Sequence, residues 1–259
     1  MSIPTVDVHI WSDVMCPWCA IGYAQYDKAL AELEGEIDVE TRWMPFELNP
    51  DMPAEGKTQA EHLAATYDRS EEEVAEMRQR LSEVAGRAGF PIQFDGPAGE
   101  PGMMWNTFAA HKLLRWALAL QGPEAQTRLS LALFRAHFQD RRSVGDREVL
   151  LDIAEEEGFD RGAAAEALDE EALGLAVRME EKRGLEAGIN SVPTFVVNGR
   201  YAIPGAQDPE VFVATIRRVA AMAQGEVGNA KRGYSPLLLA GSSLSIDFLP
   251  FISSSTGLS

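Results

Sequence analysis

Cys16 and Cys19 are the only cysteines among 259 residues, and Pro17 and Trp18 alone separate them. A bond between them closes a very small loop, for which the chain-entropy model gives roughly 2 kcal/mol at most. A chain of this length buries a core without such help, so a structural staple explains the pair poorly. Half a zinc site is the main rival, but zinc takes four ligands. No third cysteine exists, and His9, His62, His111 and His137 are scattered singly. No metal site is expected. The chemistry that fits two thiols at this spacing is thiol–disulfide exchange.

The neighbouring elements must position the pair. Residues 5–12 place Val6, Val8 and Ile10 on one face, which predicts a strand. Residues 20–33 carry Ile21, Ala24, Leu30 and Leu33 at near-helical spacing. The cysteines thus fall at a strand-to-helix junction, with Pro17 in the first turn, where its missing N–H costs nothing. Residues 37–46 alternate again and predict a second strand, parallel to the first by the crossover rule.

The middle of the chain, residues 57–188, is rich in Ala, Glu, Leu and Arg. Ser70 followed by Glu73 is a capping-box signature for a helix running to about Ala88. Further helices are predicted over 106–120, 124–139, 146–157, 161–168 and 170–187, with a Pro/Gly-rich loop at 96–102. Strand character returns at 192–197, the Asn198-Gly199 pair signals a hairpin, and 200–203 supplies the partner strand. A last helix covers 208–223 with Pro209 in its first turn.

Within this plan the two thiols take unequal roles. First-turn residues three apart have Cα atoms about 5–6 Å apart, inside the window for an unstrained disulfide. Cys16 faces the unpaired N–H groups and positive end of the helix, an effect of at most about 2 kcal/mol in favour of a thiolate. Cys16 is therefore expected to attack a partner sulfur, and Cys19, deeper in the helix, to resolve the mixed disulfide.

A second element is Ser191-Val192-Pro193-Thr194-Phe195. A proline heading a β-branched run ordinarily marks a strand start or edge. A cis Val192–Pro193 bond would instead present the Val192 backbone to an extended peptide, which would pair as an added strand. Pro17, Trp18, Val192 and Thr194 are the expected substrate-binding residues.

These stretches resemble the DsbA-like thioredoxin-fold oxidoreductases, and most of all the cytoplasmic FrnE-like subgroup. The similarity is carried by Asp13-Val14-Met15-Cys16-Pro17-Trp18-Cys19-Ala20-Ile21-Gly22 and by Trp43-Met44-Pro45-Phe46-Glu47-Leu48-Asn49-Pro50. It extends to Asn106-Thr107-Phe108-Ala109-Ala110-His111, to 188–195, and to Gly205-Ala206-Gln207. It implies an α/β thioredoxin-like fold with a large all-helical insertion between the second and third strands. The thioredoxin-like domain would be discontinuous, 1–56 with 189–224, and 57–188 would be the insertion. It implies Cys16 as nucleophile, Cys19 as resolving thiol and Pro193 as cis-proline. It also places Asn106 and His111 on a helix near the site. Relatives in the same superfamily, the kappa-class glutathione transferases and 2-hydroxychromene-2-carboxylate isomerases, typically carry serine where Cys16 stands. A glutathione-dependent isomerase or transferase is thus the alternative, and a chaperone-like binding protein a third.

Other residues carry two readings each. Asp13, three before Cys16, is either a turn residue or, if buried, a proton acceptor that perturbs the thiols. His111 is either a packed histidine or an accessory group. Trp18, Trp43 and Phe46 either line a groove or fill the core, and Met15, Met103 and Met104 either adapt to peptides or fill gaps.

A formal net charge of −17 repels phosphate backbones and anionic lipid, which excludes nucleic acid and membrane as partners. The first residues lack a basic, apolar leader, so the expectation is a cytoplasmic protein. Its partners would be protein or small-molecule thiols and disulfides. No cofactor is expected beyond the Cys16–Cys19 disulfide, with glutathione as reductant or substrate. The tail at 225–259 contains Leu237-Leu238-Leu239 and Phe248-Leu249-Pro250-Phe251-Ile252. It either packs on the body, packs on a second copy in a homodimer, or is foreign to the fold.

Overall fold

The computed structural model describes residues 3–59, 61–62, 71–94 and 101–226. The Ser70 cap, most of the 96–102 loop and the tail beyond 226 lie outside them. Strand β1 (Thr5–Ser12) leads into helix α1 (Pro17–Leu33), and β2 (Asp38–Pro45) returns parallel to β1. After the insertion, β5 (Thr194–Val197) pairs antiparallel with β1, and β6 (Tyr201–Pro204) pairs antiparallel with β5. The sheet order is β2-β1-β5-β6, and the last helix, α8, spans Pro209–Glu226.

Alternation along β1 divides its side chains between two faces. Val6, Val8 and Ile10 are fully buried. Tyr26 of α1, Phe195 of β5 and Phe212 of α8 form a ring cluster with centroids 4.7–5.5 Å apart. Trp11 points to the opposite face and meets α7 (Glu171–Glu186), where Gly184 lets the helix approach: a Cβ there would lie 2.4 Å from the indole.

The insertion contains α2 (Glu71–Ala88), α3 (Phe108–Gln121), α4 (Pro123–Phe138), α5 (Arg147–Glu156), α6 (Arg161–Asp169) and α7. Besides its helices it carries a short antiparallel ribbon, β3 (Lys57–Thr58) with β4 (Met103–Met104). The insertion has its own core around Leu113, Leu129, Leu133, Leu150 and Ile153. Leu81 and Ala85 of α2 and Phe134 and Phe138 of α4 join the sheet's core instead. The outer edge of β2 is closed by a side chain: Gln126 Oε1 accepts from the Trp43 amide at 2.9 Å and Nε2 donates to the Trp43 carbonyl at 2.9 Å.

Of the boundaries that differ from the sequence reading, two lie next to the cis-proline loop and the hairpin. The strand expected over 192–197 is β5 and begins at Thr194, and the cis Val192–Pro193 bond lies in the loop before it. Its partner begins at Tyr201. Asn198 and Gly199 both have positive φ (48° and 62°), and the Arg200 amide closes the turn on the Val197 carbonyl at 3.1 Å.

Candidate active site

Cys16 is the N-cap residue of α1 and Pro17 is its first helical residue. The Cys16 carbonyl accepts from the amides of Cys19 (3.0 Å) and Ala20 (3.5 Å). No acidic side chain occupies the first turn, so the positive end of the helix is left to Cys16. Both cysteines are free thiols. Cys16 is 3% exposed and Cys19 0%, so the pair is set in the core with only Cys16 reaching the surface. Burial, reinforced by the adjacent Cys16, drives the Cys19 thiol well above its ordinary value. The Ser12 hydroxyl and the Asp13 backbone amide oppose this by hydrogen bonding.

The segment leading to the pair is clamped between two cores. Val14 and Met15 are buried in the insertion's cluster, whereas Cys16 and Cys19 belong to the sheet's cluster. Opposite them, the Cys16 thiol donates to the Val192 carbonyl at an S···O distance of 3.7 Å. The next carbonyl, that of Pro193, accepts from the Gly205 amide at 2.8 Å, which anchors the loop to the residues after β6. Gly22 permits this approach: a Cβ there would lie 3.0 Å from Pro193 Cγ and 3.4 Å from Ala206 Cα.

Asp13 is buried beneath the thiols. Its Oδ1 accepts from the Met15 amide at 3.1 Å and its Oδ2 from the Leu48 amide at 2.7 Å. Burial raises this carboxyl to about 6 despite those bonds. His111 Nε2 lies 3.9 Å from Asp13 Oδ1, beyond hydrogen-bond range, and has no hydrogen-bond partner among the described residues. Burial holds the imidazole down to about 4, so at neutral pH it is uncharged. Asp13 and His111 are thus brought together at the site.

The remaining expected residues divide. Trp18 is half-buried beside Cys16. Asn106 lies before α3 rather than on it. Its Nδ2 donates to the Met52 carbonyl at 2.9 Å and its Oδ1 accepts from the Phe108 amide at 3.1 Å, so it shapes the start of that helix. The Thr194 hydroxyl donates to the Ser191 carbonyl at 2.8 Å, and its backbone lies in the sheet, opposite Trp11 on one side and Pro204 on the other. Trp43 is a core residue, its ring 5.1 Å from Tyr23 and 5.7 Å from Phe134. Among the described residues no group of three or more His, Cys, Asp or Glu could hold a metal ion. None of the described helices is long and apolar enough to cross a membrane.

Three groups escaped the sequence reading: Ser12, Glu47 and Glu181. Glu47 pairs with Arg178, 131 positions away, and no spacing rule links them.

The chain matches the DSBA-like thioredoxin domain over residues 7–217. It is 31% identical over 214 residues to the protein YwbO of Bacillus subtilis (strain 168), covering 82% of this chain and 96% of that one. A probable DsbA oxidoreductase from Streptomyces coelicolor has a similar structure, with 29% identity and a TM-score of 0.74 over 89% of this chain and 94% of the other. The fold also resembles the cytosolic disulfide reductase DsbM of Pseudomonas aeruginosa solved with GSH, at 21% identity and a TM-score of 0.51 over 85% and 98% of the two chains. By the extent of that match, the chain belongs to the DsbA-like thioredoxin family, whose members are oxidoreductases or isomerases.

Proposed function

We propose that this protein is a dithiol–disulfide oxidoreductase in which Cys16 attacks and Cys19 resolves. The observation that carries the reading is the placement of Cys16 at the N-cap of α1 with its thiol against the Val192 carbonyl. The Cys16 thiolate attacks one sulfur of a partner disulfide, forming a mixed disulfide and releasing the other sulfur as a thiolate. Cys19 then loses its proton and attacks Cys16 Sγ. The Cys16–Cys19 bond forms, the mixed disulfide breaks, and the second partner thiolate leaves. Two electrons pass from the pair to the partner, and the reverse sequence oxidises a dithiol.

Trp18 and the Val192 backbone flank the reacting sulfur, so an extended thiol or disulfide substrate would lie between them. The reaction needs no cofactor besides the pair, with glutathione as reductant or substrate, and a reducing, cytoplasmic setting suits it. A glutathione-dependent isomerase would make no use of Cys19.

The decisive experiment is turnover of insulin or glutathione disulfide by the wild type, Cys16→Ser and Cys19→Ser. The expected result is loss of turnover in both variants with the fold retained. Full activity in Cys16→Ser would remove the proposal, and activity that needs Cys16 but survives Cys19→Ser would favour the isomerase.

A further inference from the structure

The segment that follows β2 is tied to the thiol junction at both ends and to the insertion in between. The Phe46 amide donates to the Ser12 carbonyl at 3.1 Å, and the Leu48 amide donates to Asp13 Oδ2 at 2.7 Å. Asp13 in turn builds the turn that ends at the attacking thiol. Its Oδ1 accepts from the Met15 amide at 3.1 Å, and its backbone carbonyl accepts from the Cys16 amide at 3.0 Å. Between Phe46 and Leu48, the buried Glu47 side chain leaves the sheet and binds Arg178 of α7.

Among the described residues Arg178 is the one hydrogen-bond partner of that side chain: Glu47 Oε2 accepts from Arg178 Nη1, and Oε1 has no partner. A buried carboxylate is costly to hold without a cation. Burial and the nearby Glu181 push the Glu47 carboxyl up to about 7, and Arg178 opposes both. The position of Glu47 therefore follows that of the guanidinium, and the insertion fixes the guanidinium. Arg178 Nη1 also donates to Glu181 Oε2 at 2.9 Å, and its Cζ lies 3.9 Å from the centre of the Phe108 ring. Gly174, one turn earlier on α7, keeps the helix close to that ring, since a Cβ there would lie 3.4 Å from Phe108 Cζ. Asn106 holds Phe108 from behind, its Oδ1 accepting the Phe108 amide at 3.1 Å and its Nδ2 donating to the Met52 carbonyl at 2.9 Å.

We propose that Arg178 is a positioning residue for the thiol pair: acting through Glu47, it sets the 46–48 segment and with it the Asp13 turn that holds Cys16 at the start of α1. This rests on the dithiol reading above. The insertion thereby tunes the reactivity of Cys16 without touching the sulfur and without moving a proton. When the Arg178–Glu47 link is lost, the Leu48 amide no longer has a fixed place against Asp13. Cys16 is then held less firmly at the positive end of α1, and less of it is thiolate at a given pH. The reduced pair loses stability relative to the disulfide by the same effect.

The test is a double-mutant cycle on the full chain with Arg178→Met, Glu47→Met and the two together. Two quantities are read: the rate of Cys16 alkylation by iodoacetamide at pH 7, and the equilibrium constant for reduction of the Cys16–Cys19 disulfide in glutathione buffers. Each single variant is expected to slow alkylation about threefold or more and to lower that constant, and the double variant should match the single ones rather than multiply their effects. Arg178→Lys should return both quantities toward wild type. Arg115→Met breaks another ion pair between α3 and α7, Arg115 Nε to Glu180 Oε1 at 2.7 Å, and should leave both within about twofold of wild type. The double variant leaves neither member of the Arg178–Glu47 pair behind as an uncompensated charge, so with Arg178→Lys it carries the test should a single variant fail to fold. Wild-type values in the folded double variant, multiplied effects in the cycle, or an equal loss in Arg115→Met would overturn the positioning role. A wild-type chain that forms no Cys16–Cys19 disulfide in these buffers would overturn the dithiol reading, while the alkylation rates still decide the role of Arg178.

Discussion

The Cys16 thiol donates to the backbone carbonyl of Val192, 176 positions further along the chain and 3.7 Å away in space. This contact joins the helix α1 junction to the loop that precedes β5, and a substrate sulfur must enter between them. Each thiol should therefore fail in its own way. Cys19→Ser, treated with glutathione disulfide, is expected to accumulate a stable mixed disulfide on Cys16, visible as one added glutathione by mass spectrometry. Cys16→Ser should accumulate none, because Cys19 is fully buried. Equal labelling of the two variants would contradict the assigned roles.

The same contact depends on a glycine. Gly22 sits in α1 where a Cβ would come 3.0 Å from Pro193 Cγ, with the Ala206 backbone just behind. The neighbours are a ring and a main chain, so they yield with difficulty. Gly22→Ala is expected to cost about 1–3 kcal/mol by overpacking, despite alanine's better helix propensity. It should also change the alkylation rate of Cys16 by iodoacetamide at fixed pH, since the Val192 carbonyl shifts with Pro193. Wild-type stability with a wild-type alkylation rate would rule out this role for Gly22.

Much of this was legible in the sequence, and the reasons are local. Val6, Val8 and Ile10 alternate as a strand facing one core must, and Pro17 can stand only in a first helical turn. Asn198 and Gly199 accept the positive φ that a tight hairpin requires. Helix periodicity located the insertion's helices to within a residue or two. Pairings at long range were not legible. Gln126 closing the edge of β2 at Trp43, and Glu47 meeting Arg178, join positions 83 and 131 apart. No periodicity encodes such contacts. The resemblance places Asn106 on a helix near the site, but an asparagine just outside an apolar helix can equally bond its first amide, as Asn106 Oδ1 does with Phe108 ahead of the N-cap Thr107.

Asp13 and His111 have opposite effects on acid stability. The Asp13 carboxyl is raised from 3.8 to about 6 by burial, so the folded state binds its proton more tightly than the unfolded state. This group makes the protein more stable as pH falls from 6 to 4. His111 is lowered from 6.5 to about 4, so the unfolded state takes its proton first and stability falls over nearly the same window. In the wild type the two slopes largely offset. Asp13→Asn should expose the His111 slope, steepening the loss of stability between pH 6 and 4, and His111→Asn should do the reverse. Urea unfolding at half-unit pH intervals measures both. Parallel pH curves for the two variants would contradict the opposed shifts.

Gln126 offers a test of how the edge of the sheet is protected. Among the described residues β2 has β1 on one side and no strand on the other, and at Trp43 the outward amide and carbonyl bond to the Gln126 carboxamide, itself buried in α4. The same indole donates from Nε1 to Thr127 Oγ1 at 3.0 Å, which fixes α4 against the strand at a second point. Gln126→Ala would leave two buried backbone groups unpaired, each costing about 1–3 kcal/mol. Gln126→Glu keeps the acceptor for the Trp43 amide but sets an oxygen against its carbonyl, and buries a charge unless it is protonated. The expected order of stability at neutral pH is wild type, then either variant, with Gln126→Glu gaining on Gln126→Ala as the pH is lowered and the carboxyl takes up a proton. That proton can then donate to the Trp43 carbonyl and restore the second bond. Thermal unfolding of the three proteins at pH 7 and pH 5 reads the effect. A pH-independent gap between the two variants would show that the edge of β2 does not depend on this pair of bonds.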